Sequence, residues 1–289
     1  MANGILIVDK PQEWTSMDVC AKLRGIFHEK RVGHGGTLDP MATGVLPVFL
    51  GRATRAVEFA AQGDKEYIAG LRLGVVTNTQ DVTGEILSQN PVQVSREQLE
   101  AVLSAFQGEI LQVPPMYSAI KIQGKKLYEL ARKGREVDRP PRPVTLHSLT
   151  VEDQTGPSEF VLRVHCSKGT YVRTLCHDIG QKLGCGGTMS TLRRVKASGF
   201  TLQQAVTLEE IQACQDPAAL LLGVDTLFTQ HPALDLEPAG EKKIRNGMTL
   251  PLPGTPEGIY RVYGQSRQFL ALCQLEQGKL KTIKSFFEV

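Results

Sequence analysis

Aromatic residues make up only 6% of this 289-residue sequence, with a single tryptophan, so aliphatic side chains must fill most of its core. Its six cysteines, Cys20, Cys166, Cys176, Cys185, Cys214 and Cys273, form no C-x-x-C pair. That argues against a zinc knuckle or a thioredoxin-type motif; thiols scattered in this way read as reduced and mostly buried. No apolar run approaches the length of a membrane span, and the first residues lack the charged and apolar regions of a secretion signal. A cytoplasmic protein with no membrane partner is expected. There is no G-x-x-x-x-G-K-[ST] or G-x-G-x-x-G phosphate loop, no internal repeat and no low-complexity tract. The net charge is only +3, too small in itself to point to a polyanionic partner.

What is present is an ordinary globular balance of 41% hydrophobic and 22% charged residues, on a chain long enough for one large and one small domain. The distribution of charge says more than its sum. Residues 121–142 hold Lys121, Lys125, Lys126, Arg132, Lys133, Arg135, Arg139 and Arg142 against Glu129, Glu136 and Asp138, a larger positive excess than that of the whole chain. Such a field suits a phosphate backbone, although a solvated helix and loop would look the same.

Hydrophobic periodicity gives the elements. The apolar run at residues 4–8 reads as a buried strand. Thr15 and Asp18 have capping-box spacing, and Val19, Leu23, Ile26 and Phe27 follow at helical intervals, which predicts a helix over residues 16–29. Residues 45–50 return to strand. Tyr67, Ala69, Leu71 and Leu73 alternate, as do Phe160, Leu162, Val164 and Cys166, so both segments are predicted half-buried strands. A box at Ser95–Gln98 opens a helix carrying Leu99, Val102, Leu103 and Phe106 and closing at Gly108. Val172, Leu175, Ile179 and Leu183 mark another helix, and Thr207–Glu210 opens a further one. From about Pro232, prolines and glycines punctuate short strands near residues 258–263 and 269–275. The reading is α+β, with a large domain over residues 1–230 and a small β-rich one over residues 231–289.

The most informative segment is the glycine-rich loop at residues 33–44. Asp39 stands between flexible glycines and the fixed φ of Pro40, so its carboxylate can be held in an unusual pose close to a ligand. A phosphate loop, a metal site from His34 and Asp39 (short of a third ligand), or a turn with a structural aspartate remain open on chemistry alone.

The segment Val32-Gly-His-Gly-Gly-Thr-Leu-Asp-Pro-Met-Ala-Thr-Gly-Val-Leu46 resembles the signature of TruB-type pseudouridine synthases. So do, in family order, Lys10-Pro11 with Thr15-Ser16, Lys65-Glu-Tyr67, Pro114-Pro-Met-Tyr-Ser-Ala119 with Lys121 and Leu127-Tyr-Glu-Leu-Ala-Arg132, Lys168-Gly-Thr-Tyr-Val-Arg173, and Leu192-Arg193-Arg194. The resemblance implies a catalytic domain with a large mixed or antiparallel sheet flanked by helices, and a C-terminal PUA-like RNA-binding domain. It implies isomerisation of a T-loop uridine of tRNA (position 55) after base flipping, with Asp39 as nucleophile or base. Arg173 would keep Asp39 ionised, and Tyr67 and Leu192 would pack on the uracil. His34 would fill the space that the base vacates. Lys10, Lys121, Tyr171 and Arg193 would bind RNA, with Arg194 and Lys196 beside them on a basic surface. No cofactor, no catalytic metal and no obligatory protein partner are expected. A guide-RNA-dependent synthase and a non-catalytic tRNA-folding chaperone are the alternatives. The chain departs from the family at Glu13, where glycine is usual, at Gly35 for threonine, at His177 for arginine and at Gly187 for alanine.

Overall fold

A run of consecutive apolar residues is stable as a strand only where both faces are covered. Gly4–Lys10 forms such a strand (β1), and all but one of its residues are buried. The computed structural model describes residues 2–122 and 124–287. After β1 come α1 (Ser16–Phe27), β2 (Val32–His34), β3 (Thr43–Leu50), α2 (Val57–Gln62), β4 (Lys65–Leu73), β5 (Val75–Thr77) and β6 (Ile86–Gln89). Then follow α3 (Arg96–Leu103), β7 (Gly108–Gln112), β8 (Lys121–Ile122), β9 (Lys125–Lys126), α4 (Leu127–Ala131), β10 (Arg142–Gly156), β11 (Glu159–Cys166), α5 (Val172–Lys182) and β12 (Gly187–Ala197). The last elements are β13 (Phe200–Thr201), α6 (Leu208–Ala213), β14 (Ala233–Asp235), α7 (Pro238–Arg245), β15 (Leu250–Pro251), β16 (Gly258–Tyr263), β17 (Phe269–Glu276) and β18 (Lys279–Ser285). The class is α+β, as the sequence implied. Among the described residues no helix is long and apolar enough to cross a membrane.

The chain divides into two compact units and passes between them four times, once inside β3. One unit comprises Pro40–Val45 and Gln62–Leu202. Its sheet runs β12-β4-β11-β10-β7, antiparallel throughout, with β13 added to β12. Thr43 and Gly44 pair in parallel with Arg193 and Arg194. This crossing depends on Gly44, whose φ is +102° and on which a Cβ would lie 2.2 Å from the Arg194 carbonyl oxygen. In the central strand β4, alternation puts Tyr67, Ala69, Leu71 and Leu73 into the core.

The other unit comprises Met1–Asp39, Leu46–Ala61 and Gln203–Val289. Here β2 pairs antiparallel with β3, and β1 is bridged to residues 206 and 222. The α1 capping box forms as its spacing required, with Thr15 and Asp18 bonding each other's backbone amides at 2.9 and 3.0 Å. The helix stops at Phe27, two residues short of expectation, because His28 turns into the left-handed region (φ 50°, ψ 34°). The same unit holds a C-terminal sheet in the order β14-β16-β17-β18-β15. Leu236, Ile244, Val262, Cys273, Leu275 and Leu280 lie in its own core. Phe228, from the segment before that sheet, meets Phe59 edge-on at 5.3 Å and packs on Phe269 and Phe286 at 6.1 and 5.8 Å.

All six cysteines are free thiols, and five are buried. Burial pushes Cys20, Cys166 and Cys273 up to about 11 and Cys176 up to about 12, so these thiols stay protonated and unreactive.

Candidate active site

Asp39 is half-buried, between the buried Leu38 and the exposed Pro40. Its position is set from two directions. Ser16, at the start of α1, accepts a hydrogen bond from the Leu38 amide at 2.9 Å and donates one to the Leu38 carbonyl at 3.2 Å, all within buried surroundings. Gly35 extends the β2–β3 pairing by donating to the Pro47 carbonyl at 2.9 Å. A Cβ on Gly35 would lie 2.8 Å from that of Ala60 and 3.1 Å from the Phe49 ring. The threonine usual in the family therefore has no room here unless both neighbours move.

Ser16→Ala is expected to destabilise the fold by about 1–3 kcal/mol, because two buried backbone groups of Leu38 lose their partner. Denaturant melts of the two proteins measure the difference.

Lys10 is fully buried, and its ammonium donates to the carbonyls of Pro11 at 2.8 Å and Trp14 at 2.6 Å. It thus ties down the turn in which Glu13 takes a positive φ of 67°. The family's usual glycine would adopt that conformation without strain. His34, half-buried at the end of β2, completes this group of residues in the unit that contains residues 1–39.

The unit of residues 40–45 and 62–202 carries Tyr67, Tyr171, Arg173, Leu192 and Arg193. Leu192 pairs with Ala69 and Arg194 with Tyr67, so Tyr67, Leu192 and Arg194 stand on one face of neighbouring strands. Tyr67 and Leu192 are each only 8% exposed. Arg193 faces the other way, half-buried, and donates to the Thr43 hydroxyl at 3.2 Å. Arg194 is 1% exposed and donates to the Val45 carbonyl at 2.7 Å. This corrects the expectation that it lies on a basic surface: it is an internal strut between strands.

Tyr171 opens α5 without a side-chain cap. Its backbone is instead clamped by the buried Gln112, which accepts from the Tyr171 amide at 2.7 Å and donates to its carbonyl at 3.0 Å. Two residues on, Arg173 is 6% exposed. Its guanidinium donates to the carbonyls of Tyr117 at 2.9 Å and Thr79 at 3.2 Å, and pairs with Asp81 at 3.4 Å. Asp81 was assigned nothing by the sequence reading. It is 4% exposed, and its other oxygen accepts from Thr79 and from both the amide and the hydroxyl of Thr83. The available signal was the Thr79-Gln-Asp-Val-Thr-Gly84 turn, where an aspartate flanked by threonines closes on itself. The guanidinium is therefore oriented in advance by a buried carboxylate and two carbonyls.

Asp178, one turn and a half further along α5, is not that partner. Burial pushes its carboxyl up to about 6 from an ordinary 3.8. The folded state thus holds this proton more tightly than the unfolded chain, and stability falls as pH rises from about 4 to about 6. Asp178→Asn is expected to match wild type near pH 4 and to exceed it by the order of 1 kcal/mol above pH 6, after allowance for solvent screening. Denaturant melts at both pH values measure the difference.

Lys65, at the start of β4, is held down to about 8 by burial and by the nearby Arg194 charge. Lys121 is exposed on the β8–β9 hairpin, at the head of the basic segment. In that segment Lys126 and Arg132 stand over the Tyr128 ring at 5.3 and 5.4 Å.

Comparison with known proteins places the whole chain in one family. Residues 24–172 match the family described as TruB family pseudouridylate synthase (N terminal domain), and residues 173–228 match the tRNA pseudouridylate synthase B C-terminal domain. The chain is 44% identical over 285 residues to tRNA pseudouridine synthase B of Azoarcus sp. (strain BH72), covering 97% of this chain and 94% of that protein. It is 42% identical over 288 residues to tRNA pseudouridine synthase B of Escherichia coli (strain K12), covering 95% and 91%. Among solved structures, a chain of a Cbf5-Nop10-Gar1 complex superposes with a TM-score of 0.76 at 25% identity, over 99% of this chain and 85% of that one. The chain belongs to the TruB family of pseudouridine synthases.

Proposed function

We propose that this chain converts uridine to pseudouridine in tRNA, at the T-loop position, with Asp39 as the reacting carboxylate. The observation that carries the reading is the placement of Asp39 on a loop whose preceding residue is clamped by Ser16 and whose following residue is a proline. The reaction breaks the bond between uracil N1 and ribose C1′, turns the base, and joins C5 to the same carbon; the C5 proton leaves and N1 gains one. Asp39 either attacks C1′ or removes a proton from C2′. In both roles it must be ionised. Arg173, buried and oriented in advance, is the cation proposed to keep it so.

Tyr67 and Leu192 share one face and supply the apolar walls for the uracil, and the Tyr67 hydroxyl is the proposed acceptor route for the C5 proton. His34 stacks where the flipped base leaves a gap, recovering part of a few kcal/mol of unstacking. Lys121, Arg193 and Tyr171, with the exposed cations of residues 121–142, are the proposed RNA contacts. Lys10 acts from beneath by holding its turn. The C-terminal sheet serves as a PUA-like RNA module, the division lies near residue 230, and the protein works in the cytoplasm without a protein partner.

The identity of 42–44% to proteins named tRNA pseudouridine synthase B, over 91% or more of their length, supports this reading. The reaction transfers no electron and needs no cofactor. Chelator-treated protein is expected to keep its full rate on pre-folded RNA; loss of turnover that a metal restores would refute this. The site of reaction is tested by mapping product with mass spectrometry on an unmodified T-arm hairpin and on the same hairpin with that uridine replaced by cytidine. Product elsewhere, or in the cytidine hairpin, contradicts the T-loop assignment.

A further inference from the structure

We propose that Asp64, His147 and His165 form a binding site for a borderline first-row divalent cation, of which Zn²⁺ is the type. One potential ligand atom from each of the three residues lies within 4.8 Å of the others. His147 Nε2 is 3.2 Å from Asp64 Oδ2, and the two imidazole centroids are 4.7 Å apart. All three belong to one compact unit and come from separate segments: Asp64 directly before β4, His147 from β10 and His165 from β11.

The strand register brings them together. Leu146 is buried and pairs with Cys166, so the next residue on each strand, His147 and His165, falls on the opposite, open face of the sheet. Ser148 pairs with His165, so His147 is the extra residue of a bulge and two residues of β10 stand against His165.

The donor set selects the ligand. Two imidazoles and one carboxylate are the three-ligand combination of open zinc sites, which leaves a fourth position for water or another oxygen. Magnesium and calcium require more oxygen donors than are present here. Tetrahedral bonds of about 2.0–2.1 Å place neighbouring donors about 3.3–3.4 Å apart. The His147–Asp64 distance already meets that. The remaining closure falls to side chains free to rotate, since His147 is 37% and Asp64 51% exposed. The three side chains already touch in series, through the Asp64–His147 ion pair and the His147–His165 ring contact; a metal would engage all three at once.

The site lies apart from the uracil-binding residues. Asp64, just before β4, has the parity of Glu66, opposite to Tyr67, and Glu66 engages Arg163 on that open face. The proposed role is therefore structural, joining the start of β4 to β10 and β11.

Chelator-stripped full-length protein is titrated with Zn²⁺ by calorimetry, and with Co²⁺ by absorption. One ion per chain is expected, undisturbed by millimolar Mg²⁺, with a tetrahedral cobalt spectrum that lacks thiolate charge transfer. His147→Gln, His165→Gln and Asp64→Asn should each weaken binding by about tenfold or more, whereas Cys214→Ser should not. Absence of a saturable site, affinity unchanged in both glutamine variants, or a thiolate signature lost in Cys214→Ser would each overturn the proposal.

Discussion

Asp39→Asn is expected to reduce turnover by more than a hundredfold while tRNA binds within about threefold of wild type. The change keeps the side-chain shape and the Ser16–Leu38 clamp, and removes only the charge that can attack C1′ or accept a proton. A hundredfold loss corresponds to about 2.7 kcal/mol of transition-state stabilisation, modest for loss of a reacting group. If affinity rests on the proposed phosphate contacts elsewhere, it should survive. Single-turnover kinetics with saturating protein separates the two quantities. A residual rate above about one hundredth of wild type would mean that another group performs the reaction. Asp39→Ala is the poorer test, because it also opens a cavity.

A chain truncated after Gln230 is expected to lose folding stability before it shows any pure loss of RNA affinity. Phe228 is 2% exposed, and its ring neighbours are Phe59, Phe269 and Phe286. Truncation removes the last two, and with them Lys284, which pairs with Glu58 at 2.6 Å. Loss of a buried phenylalanine's packing costs about 3–5 kcal/mol, a large part of the roughly 5–15 kcal/mol that holds a folded protein together. Thermal melts and size-exclusion chromatography of both lengths measure the effect. If the shorter chain melts with the full one, the aromatic cluster is incidental and the C-terminal sheet is separable. In that event its RNA role is read from salt-dependent binding, which should lose about one unit of slope per lost phosphate contact.

The elements most legible in the sequence were those whose signal is local. All three capping boxes form, at Thr15, Ser95 and Thr207, because a cap needs only residues three apart. The alternating segments of β4 and β11 are strands, since both lie inside a sheet with one face on the core. The glycine-rich loop hid β2, whose three residues depend on pairing with β3 rather than on their own propensity. β10 and β12 were missed for a different reason. Each contains register shifts, and each bulge inverts the apolar alternation on which the reading relied. Within the site, Asp39 and Arg173 were reached through motif resemblance, but Asp81 and Gln112 were not. Their importance lies in partners 92 and 59 residues away, which no local pattern reveals. Arg194 shows the converse error: three basic residues within four positions suggest a solvent-facing patch, yet strand alternation buries one of them.

The central claim is that this chain alone makes pseudouridine in tRNA. The most direct test is incubation of purified protein, with no other protein and no guide RNA, with an unmodified tRNA transcript, followed by quantification of pseudouridine by mass spectrometry of the digested RNA. The expected result is one pseudouridine per tRNA, in the T-loop, approaching complete conversion. No conversion by folded protein that binds the transcript would contradict the account and favour a tRNA-folding role without catalysis.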